Sequence, residues 1–398
     1  MKCRVCSKKK FKQIIDLGNQ PWGNDFLKKS MVGKEKFYPL KLLYCENCQL
    51  VQLNYTVKKE IMFKNHTYLS GTTKTLNNHF DNVALKLDKR FFKNKRNKNA
   101  FDIGSNDGTQ LKYYKKLGYN VLGVESSTVA SRIANKNRIK TINKFFNENI
   151  AKKIDNQFDI INASGVFFHL EELHSVTKGI KKLLKKDGIF VVQFIYLKEM
   201  IKNLAFDQIY HEHLIYYNLK TLNNLLKIHG LELFHAYKSK IHGGSIIGYV
   251  SHHKQRKITK NLIKLIKSEN EAKVNNYSTL LRFAKRIENK KLENKKLLAS
   301  WSKQKKIVYG FGAPVKGNTL MNYFKISNAD FKYLVEKNTL RKGLYSPGSH
   351  IKIILENEIV QHPDIYYVLA WNFKKEILKN NKYLIKKGVK FYFPINPK

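Results

Sequence analysis

Between residues 99 and 125 the chain adopts a pattern that few folds accept. Ala100-Phe101-Asp102-Ile103 is a short apolar strand, Gly104-Ser105-Asn106-Asp107-Gly108 is a glycine-punctuated loop, and residues 109–117 have the spacing of a helix. Gly118-Tyr119-Asn120 then turns the chain into a second strand, Val121-Leu122-Gly123-Val124, which ends on Glu125. Glycines between a strand and a helix let the backbone approach a ligand closely. An acidic residue at the tip of the second strand, about twenty positions past the first glycine, is placed for the two hydroxyls of a ribose. The alternation continues with a strand over 158–163, a helix over 171–184 and a strand over 188–194. Such alternation calls for a parallel sheet with ligands at its carboxyl ends.

The loop is G-x-N-D-G and lacks the third glycine that packs a dinucleotide's pyrophosphate against a helix start. It resembles motif I of class I methyltransferases, whose ligand, S-adenosylmethionine, carries an amino acid rather than a diphosphate. That resemblance implies a cofactor set of Asp102, Gly104, Asn106, Asp107, Gly108 and Glu125, with Ser164 following the strand at 158–163. Asp102 or Asp107 would meet the cofactor's ammonium group. A Rossmann-like domain that has lost its cofactor is the competing interpretation.

All four cysteines lie near the N-terminus, as Cys3-x-x-Cys6 and Cys45-x-x-Cys48. Two CxxC turns aimed at one point give tetrahedral thiolate coordination of Zn2+, and four protein ligands leave no open position, so the metal is expected to be structural. Disulfides suit an exported chain, and residues 1–12 lead into no apolar signal core; a cytoplasmic location is expected. Leu17 to Asn24 looks like a Gly/Pro/Asn loop, and short strands are expected over 37–43 and 50–53.

The formal charge is +45, from 75 Lys plus Arg against 30 Asp plus Glu. Charge of that size can mark a nucleic-acid or anionic-membrane partner. The lysines are spread from end to end, with no basic tail, and no apolar run is long enough for a membrane span. Neither partner is expected, although an RNA-directed methyltransferase or RNA-binding protein with a zinc ribbon remains the alternative. A monomer or weak homo-oligomer is expected.

Three clusters follow strands of the central region: Val166-Phe167-Phe168-His169, then Phe206 to His213, then Ile241-His242-Gly243-Gly244-Ser245. Four side chains that titrate or relay protons stand in succession at Tyr210-His211-Glu212-His213, a run that is costly to bury and rarely needed for packing. In an extended strand His211 and His213 would share a face and Tyr210 would point away. Convergence of Tyr210 with His213 therefore requires a helical or tight-turn path, which leaves His211 outside the site. A metal site from His169, His211, His213 and Glu212 is chemically acceptable as an alternative.

The double CxxC, Tyr68-Leu69-Ser70-Gly71-Thr72, the 104–108 loop and Asp207-Gln208-Ile209-Tyr210-His211-Glu212-His213 together resemble the sugar C-3-methyltransferases of deoxysugar biosynthesis. The likeness runs on through Gly310-Phe311-Gly312-Ala313-Pro314-Val315-Lys316-Gly317-Asn318-Thr319 and Pro347-Gly348-Ser349-His350-Ile351. The chain departs from that family at Ser126, where a proline is usual, and at Ile247, where an arginine often stands. The resemblance implies methylation of a nucleotide-linked 4-keto sugar at the carbon beside the ketone. His213 would be the base, Tyr210 would act at the keto oxygen, His169 and Glu212 would support the base, and Tyr68 would reach in from the zinc module. Removing a proton α to a ketone suits a histidine, because the enolate spreads its charge onto oxygen.

A second strand-loop-helix-strand unit is expected over 306–336: strand 306–309, loop 310–317, helix 318–323 and strand 332–335 ending at Glu336. Another strand is expected over 366–370. The loop amides and Lys316 could hold a diphosphate, so Gly312, Lys316, Gly317, Asn318 and His242 form the expected substrate set; a loop that merely turns the chain is the other possibility. The expected architecture is α/β: a zinc module over 1–66, a class I Rossmann-like methyltransferase domain over 67–240, and a second Rossmann-like domain over 241–398 that binds the nucleotide sugar.

Overall fold

Both glycine-loop units fold as parallel βαβ layers in the computed structural model, which describes residues 1–64, 66 and 68–395. The central sheet has seven strands in the order Leu231–Ser239, Ser245–His252, Leu184–Ile195, Phe158–Ser164, Asn99–Ile103, Asn120–Val124, Thr141–Ile142. The last five are mutually parallel, and the first two form a hairpin that adds antiparallel to the edge. Chain order reverses at Asn99–Ile103, so a crevice opens at the carboxyl ends of that strand and Phe158–Ser164. The flanking helices bury one stripe each: Leu173–Leu183 buries Leu173, Val176, Ile180 and Leu183, the i, i+3, i+4 pattern of an amphipathic helix.

The C-terminal sheet is wholly parallel, in the order Ile353–Leu355, Leu334–Glu336, Val308–Phe311, Ile365–Val368, Lys390–Tyr392. Its first helix starts earlier than the sequence indicates, at Val315, and runs to Phe324. Pro314 takes the N-cap with extended ψ of 148°, and Gly317 to Leu320 are buried against the sheet. Packing thus extends the helix backward from Asn318 to Val315, so Lys316 and Gly317 ride on its first turn rather than in a loop. The polar segment after 254 forms two helices, Lys260–Glu271 and Tyr277–Lys303.

The N-terminal sheet is antiparallel, and its order is Phe11–Pro21, Phe37–Cys45, Val51–Leu53, Ile215–Tyr216. Residues 17–21, expected in a loop, belong to its first strand. Gly18, at φ 78°, sits in an irregularity between Asp16 and Asn19, where Asp16 Oδ1 accepts its N–H at 2.8 Å. A bulge lets a strand keep its ladder through a glycine. The fourth strand comes from just beyond the Tyr210–His213 block, so this sheet is completed by the central region.

The apolar cores follow the same division. Cys3, Val5, Cys45 and Leu50 share a cluster with Phe101, Phe190 and Leu222 of the central domain. Ile14, Leu42 and Val51, farther along the same sheet, join Phe206, Ile209, Phe311 and Tyr367. The N-terminal segment therefore bonds the two α/β units together. Among the described residues no helix is long and apolar enough to cross a membrane.

Candidate active site

The two CxxC turns are built alike. Cys3 N and Cys45 N donate to Lys8 O and Leu50 O, each at 2.8 Å, and the residues after the second cysteines, Ser7 and Gln49, donate back to Cys3 O and Cys45 O. Ser7 and Gln49 both take positive φ, 58° and 65°. The four Sγ atoms lie within 4.8 Å of one another, with 3.5 Å from Cys3 to Cys48 and 3.6 Å from Cys6 to Cys45. A zinc–sulfur bond of about 2.3 Å puts the sulfurs of a tetrahedron about 3.8 Å apart, so the set fits the ion. Among the described residues no other His, Cys, Asp or Glu group gathers closely enough to hold a metal.

A cavity of about 550 Å³ lies at the carboxyl ends of the central strands, walled by all three parts of the chain. On one side Asp102, Gly104, Asn106, Glu125 and Ser164 line it. Gly104 takes φ 69°, and a Cβ there would stand 2.6 Å from Val166 Cγ1, so only glycine closes this turn. Asn106 N donates to Glu125 Oε2 at 2.8 Å and Ser127 N to Oε1 at 2.7 Å, which fixes the carboxylate at the strand tip.

The two aspartates have separate tasks. Asp107 accepts from Gly71 N, from the Ser70 hydroxyl and from Thr109 N and Oγ1, so it pins residues 70–71 and the helix Thr109–Lys116, and it does not line the cavity. Gly108, at φ 78°, is the N-cap of that helix and also stays behind the wall. Asp102 is buried at the cavity, and its Oδ1 meets no hydrogen-bond partner among the described residues. Burial, and then the nearby Glu125 charge, hold its carboxyl well above the usual range. An unpaired buried carboxylate oxygen is costly until a cation meets it, so the site fits a ligand with an ammonium group.

Tyr68, His169, Tyr210, Glu212, His213 and Lys316 also line the cavity. After the 3-10 turn Phe206–Gln208 the chain makes a tight turn, closed by His213 N donating to Tyr210 O at 2.9 Å. The turn brings the Tyr210 and His213 rings to 3.8 Å between centroids, as the spacing argument required. His211 points elsewhere, buried edge-on against Tyr38. His213 Nδ1 lies 2.8 Å from Gln208 O, and His169 Nδ1 lies 2.6 Å from Glu212 O. A carbonyl only accepts, so each Nδ1 carries a proton, and whenever either ring is neutral its basic nitrogen is Nε2. Burial, with Glu212 second, holds the Tyr210 phenol well above its ordinary range. Burial pushes Glu212 up to about 7 against the opposing hydrogen bond from Trp22 Nε1 at 2.8 Å. Tyr68 is 47 % exposed at the mouth, and its carbonyl accepts from Asn106 Nδ2.

The expected substrate set is only partly assembled. Lys316 lines the cavity, but its Nζ lies 3.7 Å from Asp207 Oδ2 and 3.7 Å over the Trp371 ring. Burial pushes it down to about 8, with Asp207 opposing. Gly312, Gly317 and Asn318 do not line the cavity. A Cβ on Gly312 or Gly317 would press on Ala370 or Leu369 at 3.0 and 3.2 Å, so both serve close packing. Asn318 Nδ2 donates to Gly23 O at 2.6 Å and ties the N-terminal loop to the C-terminal helix. The side chain of His242 lies outside the described residues. Sequence reasoning missed Trp22, which the Pro-Trp-Gly-Asn run displays without its partner, and Arg341, which also lines the cavity and has no local signal.

The strand tips and loop of the central sheet define a class, and a family model for a methyltransferase domain matches residues 77–236: the chain is an S-adenosylmethionine-dependent methyltransferase. Flanking models match a zinc binding domain at residues 3–63 and a C-methyltransferase C-terminal domain at residues 240–396. The three models match in chain order the parts of a zinc-binding C-methyltransferase. The chain is 27% identical over 402 residues to the C-methyltransferase NovU of Streptomyces niveus, covering 99% of this chain and 95% of that one. Among solved structures, magnesium protoporphyrin IX methyltransferase from Synechocystis PCC 6803 with bound SAH is 13% identical, with TM-score 0.36, over 44% of this chain and 82% of that one. An S-adenosylmethionine-dependent methyltransferase from Clostridium acetobutylicum is 14% identical, with TM-score 0.37, over 44% and 92%.

Proposed function

We propose that the enzyme acts in the cytoplasm on a nucleotide-linked 4-keto deoxysugar and methylates the carbon beside the ketone. The observation that carries this reading is the Tyr210–His213 pair facing the same cavity as Asp102 and Glu125. Bound S-adenosylmethionine supplies an electrophilic methyl group on its sulfonium. Glu125 would hold the ribose hydroxyls and Asp102 the ammonium, in the same cavity that Tyr210 and His213 line.

His213 Nε2 takes the proton from the carbon α to the ketone while Nδ1 stays bonded to Gln208 O. Tyr210, kept protonated by its burial, donates to the keto oxygen as negative charge grows there. His169 packs edge-on to His213 at 5.1 Å and limits its rotation. The carbanion-like carbon then needs only the correct line to the methyl group, so positioning is most of the catalysis.

Label transfer from methyl-labelled S-adenosylmethionine to thymidine-diphosphate-linked 4-keto-6-deoxyglucose tests the reading. We expect transfer by the unaltered enzyme and a loss of about a hundredfold or more for His213→Ala, with S-adenosylhomocysteine affinity retained. Full activity of His213→Ala would remove the base assignment, and no transfer to any 4-keto sugar nucleotide would remove the acceptor class.

A further inference from the structure

The C-terminal crevice repeats the cofactor crevice with one change. In the central sheet Gly104 donates to Val124 O at 2.8 Å, and Glu125 accepts amides from the loop on Oε2 and from two residues onward on Oε1. In the C-terminal sheet Gly312, at φ 82°, donates to Val335 O at 2.8 Å. There Glu336 accepts Ala313 N on Oε2 at 3.0 Å, and Lys337 N and Asn338 N on Oε1 at 2.7 and 3.2 Å. Both acids end the strand next to the glycine-bearing one. Glu125 lines the cavity, whereas Glu336 does not.

Arg341 stands in front of Glu336 and lines the cavity in its place. Its Nη1 donates to Ala313 O and lies 3.4 Å from Glu336 Oε2, and its guanidinium lies 4.3 Å over the Phe26 ring. Nε and Nη2 meet no protein acceptor among the described residues. The other cations of the wall are differently placed. Lys59 is paired with Glu172 and Lys316 with Asp207, and Lys144 is exposed beside the cofactor loop. The second crevice therefore presents a donor fork to the shared cavity where the first presents a carboxylate.

We propose that Arg341 binds the diphosphate of the acceptor, while Lys316 holds the catalytic turn through Asp207. This rests on the nucleotide-linked reading above. A fixed planar fork with two spare donor nitrogens matches phosphate oxygens in a way a lysine does not. Phe26 and Ala313 O hold the fork in place before the ligand arrives.

The test measures binding of thymidine diphosphate, thymidine and S-adenosylhomocysteine to the full chain and to Arg341→Gln. The variant should bind thymidine diphosphate about tenfold or more weakly, with thymidine and S-adenosylhomocysteine affinities unchanged. For the keto-sugar nucleotide, KM should rise and kcat should hold. In the unaltered protein, thymidine diphosphate should shield Arg341 from phenylglyoxal and thymidine should not, a readout that requires no variant to fold. Equal thymidine diphosphate affinity in both proteins, or equal modification of Arg341 with and without the ligand, overturns the assignment and leaves the acceptor reading standing. Failure of the unaltered protein to bind thymidine diphosphate overturns that reading, and this inference with it.

Discussion

Glu212 gives the most exacting test of the site's electrostatics. Its carboxyl is 6 % exposed and is raised from an ordinary 4.5 to about 7 by burial, with Trp22 Nε1 its hydrogen-bond donor. A group whose value is higher in the folded state binds more protons there than in the unfolded chain. Its stabilising contribution is complete below pH 4.5 and is lost as pH rises to about 7. The span corresponds to roughly 3 kcal/mol. Glu212→Gln keeps the shape and the oxygen that accepts from Trp22 but cannot ionise. Relative to this variant, the unaltered protein should lose roughly 3 kcal/mol of stability between pH 5 and pH 8. Thermal unfolding of both proteins, followed by differential scanning fluorimetry across that range, should show curves that diverge with pH. Trp22→Phe, which removes the donor favouring the charged form, should raise the Glu212 midpoint further. Parallel curves for the unaltered protein and Glu212→Gln would refute the claim that this carboxylate is ionised at a cost.

Two further outcomes follow from the structure. Lys316→Met leaves Asp207 buried without its cation, with the neutral Trp371 Nε1–H still donating to it, and should cost about 3–5 kcal/mol in urea unfolding. Asp207→Asn in the same chain should recover part of that loss, and strictly additive single effects would show that the pair is not coupled. Cys45→Ser should release the zinc, measured by metal analysis, and increase hydrogen exchange at Val51–Leu53 and Ile215–Tyr216, because Cys45 lies in the central core. Undiminished zinc content in that variant would exclude Cys45 as a ligand.

The sequence located the strands Asn99–Ile103 and Asn120–Val124 to within a residue, because apolar runs bounded by Gly104, Gly118 and Glu125 leave little choice of register, whereas Leu184–Ile195 starts four residues before the expected 188. It also predicted the turn at Tyr210–His213, since no extended path brings those two rings together. It placed the start of the second unit's helix too late. Lys316 and Gly317 look like loop residues until Gly317 packs against Leu369 and Lys316 meets Asp207. The strand through Gly18 was likewise hidden, because a bulge tolerates the glycine that otherwise marks a turn.

By itself, then, the sequence determined the four-cysteine cluster, the parallel α/β units and the turn that brings Tyr210 and His213 together. Each of these is read from motifs of a few residues and their spacing along the chain. Only the tertiary structure decided which aspartate lines the cavity, since Asp102 and Asp107 differ by what lies opposite them and not by local pattern. It likewise decided that Trp22 governs Glu212, that Lys316 belongs to Asp207, and that Arg341 looks into the cavity. The partners in these contacts stand 190, 109 and 28 positions apart in the chain. Burial and charge pairing are properties of the packed cavity wall, and that wall exists only after the N-terminal sheet has joined the two α/β layers.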